Sequence, residues 1–265
     1  MLAIQQTFNY LKYIVNILKR KEMNTVSKAK VVGNTSAKRV PISPMRKTSL
    51  LAGILYLLTF VSIPTLALYR SVHKPDFIMS SVSNNEVIFG GLLEIIVALA
   101  GIGTAVVLYP VLKKQNEAAA LGLVAFRVLE AATIFVGVAF LLSVVTLHQH
   151  EAGEGALVSS HTLVALYDRI FLLGQSFIPS INDLLLGFLL YKSRLVPRGL
   201  AIIGIVGAAP LFAGYLAIIF GFIGRQSPLA GLAALLVAVF EFSLGIYLVV
   251  KGFRPSDITS TSDKT

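Results

Sequence analysis

Seven ionisable side chains lie in stretches of this sequence that are otherwise apolar: Glu94, Arg127, Glu130, Asp168, Arg169, Asp183 and Glu241. An arginine among carboxylates can do three things there. It can lock helices together as an ion pair, help to hold a polar solute, or sit beside an acid that changes protonation and so moves a proton. The segment AALGLVAFRVLEAATIFVGVAFLLSVVTLH, Ala119–His148, poses the question most sharply. Arg127 and Glu130 fall near its middle, three positions apart, on one helix face.

Those residues need elements that can carry them, and the composition says what kind. Of 265 residues, 55% are hydrophobic and 14% charged. A soluble domain has about 25% charged residues. A chain this apolar has too little polar surface to coat a water-soluble globule, and it reads as an integral membrane protein. Cysteine is absent, which excludes disulfides, thiolate nucleophiles and cysteine metal sites. The net charge of +10 comes from an amino-terminal tail and alternate loops. No aromatic–basic patch accompanies it, so a membrane orientation signal explains it and nucleic-acid binding does not.

The apolar runs predict an all-α, polytopic bundle of six membrane-spanning helices: Leu50–Tyr69, Val87–Leu112, Ala118–Leu147, Thr162–Tyr191, Val196–Ile223 and Leu229–Val250. Each meets the ~20 residues a bilayer requires. Lysine and arginine crowd the segment before the first helix, the second loop (Lys113, Lys114), the fourth loop (Lys192, Arg194, Arg198) and the tail (Lys251, Arg254). This places both termini in the cytoplasm. Tyr191 and Tyr247 fall at the inner boundary and Tyr69 at the outer one. Residues 1–22 read either as an amphipathic surface helix or as a stretch upstream of a start at Met23. Residues 23–47 read as a disordered basic tail, 48–254 as the membrane domain and 255–265 as a disordered tail. Ala209, Ala213, Ala217 and Gly221 recur every four residues in the fifth helix and suggest a smooth face for a close neighbour. Pro64, Pro179 and Pro210 mark expected bends.

An ionised side chain at mid-helix costs roughly 2.5–3.5 kcal/mol on insertion scales, against ~0.6 kcal/mol for a typical polar contact between membrane helices. The charges should therefore turn inward and find partners. Counting ~1.5 Å per residue, Arg127, Glu130, Asp183 and Glu241 share a middle layer. Glu94, Asp168 and Arg169 form an outer one. Arg127 is expected to bridge Glu241 or Asp183, and Arg169 to meet Glu94. In the fourth helix Arg169, Ser176, Ser180, Asp183 and Gly187 recur as one polar stripe, with Gln175 and Asn182 close by. Such a stripe either fixes helix register or lines a pathway for a solute or ion.

Other candidates are set aside. His148 and His150, in HQHEAGE, are considered as a metal pair, but the stretch is not HExxH and no metal is assigned. No phosphate-binding glycine loop, no GxSxG elbow and no histidine within the spans appears, so no cofactor is expected.

The stretches RKTSLLAGILYLLTF, GGLLEIIVALAGIGTAVVLYPVLKK, ALGLVAFRVLEAATIFVG, YDRIFLLGQSF, LLLGFLLYKSRLVPRGLAIIGIVG and VAVFEFSLGIYLVVKGFRP follow one another in this order. Together they resemble a group of bacterial membrane proteins known only as domain of unknown function 4386, over about Arg46–Pro255. The resemblance implies a six-helix bundle in a bacterial cytoplasmic membrane, with no reaction and no assigned site. On sequence alone a structural or regulatory membrane component comes first, since nothing catalytic stands out. A small-solute or proton-coupled transporter using the interior acids comes second, and an intramembrane enzyme third. Beyond the lipid bilayer no partner is specified.

Overall fold

The computed structural model describes residues 43–150 and 153–256. The expectations for residues 1–42 and for the last nine residues lie outside them. Every regular element among the described residues is helical, and six spans are long and apolar enough to cross a membrane: Pro44–Leu68, Asn85–Leu112, Glu117–Gln149, Gly155–Ser193, Arg198–Ile219 and Pro228–Val250. Large apolar side chains point outward from them, among them Leu66, Leu99, Val206 and Leu232. Such a belt is untenable in water and natural against lipid tails. The protein is therefore a multi-pass membrane protein.

The spans pack as a closed ring in chain order. Each leans on its neighbours, and the sixth returns to the first. That closure fixes where the ends lie. Arg46, in the first turn of the first span, donates from Nη1 to the carbonyl of Leu248 (2.8 Å) and from Nη2 to that of Val249 (2.5 Å). It thereby satisfies carbonyls that the last helix leaves open at its end. Both ends of the bundle thus meet at one face.

Close approach depends on glycine. A Cβ on Gly53 would lie 2.7 Å from the Gly245 carbonyl oxygen, and one on Gly207 would lie 3.0–3.2 Å from Leu236 and Val237. The alanine stripe of the fifth span plays no such part. Ala209 and Ala213 are exposed, and Gly221 lies beyond the helix with φ +76°. A run of small residues gives smoothness but does not say which way it faces. Gly204 and Gly207 make the contacts instead.

Three further differences from expectation concern element ends. The first helix begins at Pro44, inside the segment read as a disordered tail, because Ser43 caps it by accepting from the Arg46 amide (3.3 Å) and proline suits the first turn. Tyr69 is buried, packed edge-on against Tyr167, and does not sit at a lipid boundary. The fourth helix starts at Glu154, not Thr162. The third and fourth spans have 33 and 39 residues, or about 50 and 58 Å at 1.5 Å each. A hydrocarbon core of ~30 Å leaves them projecting at the face away from the chain ends. There they carry the connection between the first two spans, whose Val72, Phe77 and Ile78 pack on Leu141, Val144 and Tyr167.

Two spans are broken. The first gives way at Thr59–Ser62 to a tighter turn and resumes only at Thr65–Leu68. Pro64 has no amide hydrogen for the carbonyl four residues back, which accounts for the break. The fourth opens into a wide π turn at Leu173–Phe177 before resuming at Ile178. Pro179 likewise cannot donate to Gln175. A Cβ at Gly174 would fall 2.1 Å from Thr133 Oγ1, so glycine is required where this turn presses on the third span.

Candidate functional site

The middle of the bundle is built around Arg127, which is 4% exposed. Its Nη1 donates to Glu130 (3.0 and 3.3 Å to the two oxygens) on its own helix. Its Nη2 pairs with Glu241 Oε1 on the sixth span. The guanidinium lies 5.8 Å from the centre of the Tyr56 ring on the first span. Asn182 Nδ2, from the fourth span, donates to Glu130 Oε2 (2.7 Å). Arg127 thus meets Glu241 and not Asp183. Asp183 is 0% exposed, and neither carboxyl oxygen has a hydrogen-bond partner among the described residues. It still lies within electrostatic reach of Arg127, Glu130 and Glu241.

Above this layer, toward the face away from the chain ends, is a cavity of about 220 Å³. Arg127, Glu130 and Glu241 form its floor. Its walls include Phe60 and Ile63 from the break in the first span, Gln175 and Pro179 from the π turn, and Val237 and Ala238 from the sixth. Both broken helices therefore open onto the same space. Irregular backbone at membrane depth is tolerated where it lines a cavity or is buried in protein. The Gln175 side chain makes no hydrogen bond among the described residues, nor does Glu241 Oε2, and neither is sealed away from the cavity.

The π turn also explains why the polar stripe does not hold. One extra residue in a turn rotates everything upstream by about 100° relative to an unbroken helix. Ser180, Asp183 and Gly187, after the turn, stay buried, whereas Arg169, before it, is exposed. Ser180 donates to the Phe177 carbonyl (2.6 Å), and Gln175, not Ser176, reaches the cavity.

The outer layer is likewise paired differently from expectation. Arg169 makes no ion pair among the described residues. Glu94, 1% exposed, accepts instead from the Tyr167 hydroxyl (2.9 Å). Asp168 Oδ1 pairs with Arg225 Nη1 (2.6 Å) in the loop between the fifth and sixth spans. The same oxygen lies 3.0 Å from His73 Nε2 in the connection between the first two. Neither His73 nor Arg225 was a candidate from sequence, where depth counting covered only the spans. The signal for Arg225 was its standing as the only basic residue in an otherwise uncharged loop.

His73 donates from Nδ1 to the Tyr69 carbonyl (2.6 Å). The bond to Asp168 raises its pKa above the ordinary 6.5, against the opposing effects of burial and of Arg225. A group whose folded pKa is raised contributes stability that is complete below the unfolded value and is lost as pH rises through the folded value. We therefore expect His73→Gln to unfold at lower temperature than the parent below pH ~6.5, with the gap closing as pH rises through the raised value. Thermal unfolding in detergent between about pH 5 and 9 measures it. A gap of constant size would remove His73 as the titrating group.

The two histidines considered for metal, at the end of the third helix and not in a loop, have other partners. His148 faces the Asn84 amide (2.7 Å) and the Ser80 carbonyl (2.7 Å), and His150 bonds back to Thr146 of its own helix (3.1 Å). With His161, whose Nε2 meets the Pro75 carbonyl (2.9 Å), His148 pins down the connection between the first two spans. No group of three metal-capable side chains is found among the described residues.

A family model described as a domain of unknown function, DUF4386, matches residues 51–252. That stretch includes every residue of the floor and both helix breaks. No curated protein and no solved structure matches the chain at a significant level.

Proposed function

Because the chain belongs to the domain of unknown function 4386 family, whose description assigns no activity, we propose a function from its own geometry: it binds a small solute at mid-membrane depth and carries it across. The observation that carries this reading is the cavity of about 220 Å³ bounded by two interrupted helices and floored by charged groups. Discontinuous helices meeting at a midplane site are how many secondary transporters expose backbone and polar groups to a substrate. As part of the same proposal, the face holding both chain ends is cytoplasmic. It carries Lys113, Lys114, Lys192, Arg194, Arg198, Lys251 and Arg254, a distribution that supports the assignment. The membrane is then a bacterial cytoplasmic membrane, the setting the family resemblance implies.

A ligand-free structural or regulatory role is the second reading. The tie from Arg127 to Glu241 between the third and sixth spans favours it. A cavity of this size works against it, since holding helices together needs no empty space. An intramembrane enzyme gains His73 beside Asp168, but Glu94 does not converge on them. The space beside Glu94 is only about 10 Å³, the size of one water at most.

The absence of cysteine makes the test simple. Ala238→Cys, on the cavity wall, is expected to react with a neutral water-soluble methanethiosulfonate in intact proteoliposomes, whereas Leu232→Cys, on the lipid-facing surface, is not. Failure of Cys at 238 to react in folded protein would leave the structural reading in place.

A further inference from the structure

We propose that the solute is a small organic monocation, an amine with a compact apolar body, and that Glu241 is its anchor. This rests on the carrier reading above and names its substrate class.

The floor decides the sign of charge. Arg127 is the only basic side chain lining the cavity among the described residues, with Nη1 donating to Glu130 and Nη2 to Glu241. Its positive charge is thereby shared between two carboxylates. The acids outnumber it. Glu130 spends its oxygens on Arg127 and Asn182. Glu241, 15% exposed, commits Oε1 to Arg127 and leaves Oε2 without a hydrogen-bond partner among the described residues. Asp183, buried and without a hydrogen-bond partner among the described residues, lies beneath and leaves the count to Glu130 and Glu241 against Arg127. An excess of carboxylate in a low-dielectric chamber attracts a cation and excludes an anion.

The walls decide the body. Phe60, Ile63, Ile134, Leu211 and Val237 are apolar, and the neutral polar side chains among the lining are Thr59, Ser62 and Gln175. Two of these are engaged, since Thr59 donates to the Tyr56 carbonyl and Ser62 to that of Thr59. Gln175 remains as a second polar contact opposite Glu241. A bare metal ion needs several oxygen ligands at short range, and no such set is gathered among the described residues. The volume is many times that of a single-water site and is large enough for one small organic molecule.

Three probes of nearly equal size and shape separate the charge classes: benzylamine, benzyl alcohol and benzoate. The readout is protection of Ala238→Cys against the neutral methanethiosulfonate, in the full chain reconstituted in vesicles. Benzylamine is expected to slow modification at concentrations where benzoate does nothing, with benzyl alcohol weaker than the amine. Glu241→Gln on the same background should raise the half-protecting concentration of benzylamine by about tenfold or more, as loss of a buried charge partner does. Equal or better protection by benzoate would overturn the cation assignment while leaving the carrier reading intact. So would benzylamine protection unchanged in folded Glu241→Gln. No modification of Cys at 238 in the absence of any probe would defeat the wet cavity itself. The comparison of amine with carboxylate needs no charge substitution, so it stands even where Glu241→Gln fails to fold.

Discussion

Arg127→Leu should abolish recovery of folded, monodisperse protein from mild detergent. The substitution strands Glu241, whose only hydrogen-bond partner among the described residues is Arg127. It also leaves Glu130 with Asn182 alone. Removing one member of a buried ion pair costs about 3–5 kcal/mol, chiefly through the charge left behind. A domain's whole stability is only about 5–15 kcal/mol. Adding Glu241→Gln takes away one stranded carboxylate and should restore part of the yield. Glu130 remains uncompensated, so recovery should be incomplete. Size-exclusion profiles of the parent, the two single variants and the double variant make a cycle. Strict additivity would mean that Arg127 and Glu241 do not act on each other, whatever their placement.

The second large effect is expected at a residue with no charge at all. Gly53→Leu should separate the first and sixth spans. A Cβ there meets the Gly245 carbonyl oxygen at 2.7 Å and the Val249 amide nitrogen at 2.8 Å. These are backbone atoms inside a helix and cannot swing aside, so the helix pair must move as a body. Overpacking of a core costs about 1–3 kcal/mol even where side chains can adjust, and here the larger end applies. Moving the spans apart also draws the Leu248 and Val249 carbonyls away from Arg46. Gly231→Leu, in the same sixth span but with nothing within 4 Å of its Cβ, is the control and should behave as the parent. Unfolding temperatures of the two variants in the same detergent decide it. Equal loss in both would point to helix content, not to the close approach.

The spans were legible because hydrocarbon imposes a length on any run that crosses it, and all six end within four residues of the expected position. Arg127 was legible as the partner of Glu241 or Asp183 for a related reason. Alternating direction and a fixed rise per residue put all three at one depth, but depth alone does not choose between the two acids. The same arithmetic went astray at Arg169. It treats a helix as unbroken, and the π turn at Leu173–Phe177 presents Tyr167 to Glu94 instead. Gly174 and Pro179 hint at irregularity in the sequence, but neither residue type dictates a π turn. The cavity was not legible, since it arises from two interruptions in spans far apart in sequence that coincide in space. The contacts of His73 and Arg225 escaped because a connecting loop has no register to count along.

The π turn frees the register of the fourth span from its residue number. Deleting any one position between Leu173 and Phe177 would let the helix run straight with its upstream half still in place, because the wide turn takes up one extra residue. Tyr167 would stay with Glu94, and Asp168 with Arg225 and His73. A single missing codon there would reshape the cavity wall that the turn supplies, with the bonds further along the span left in register.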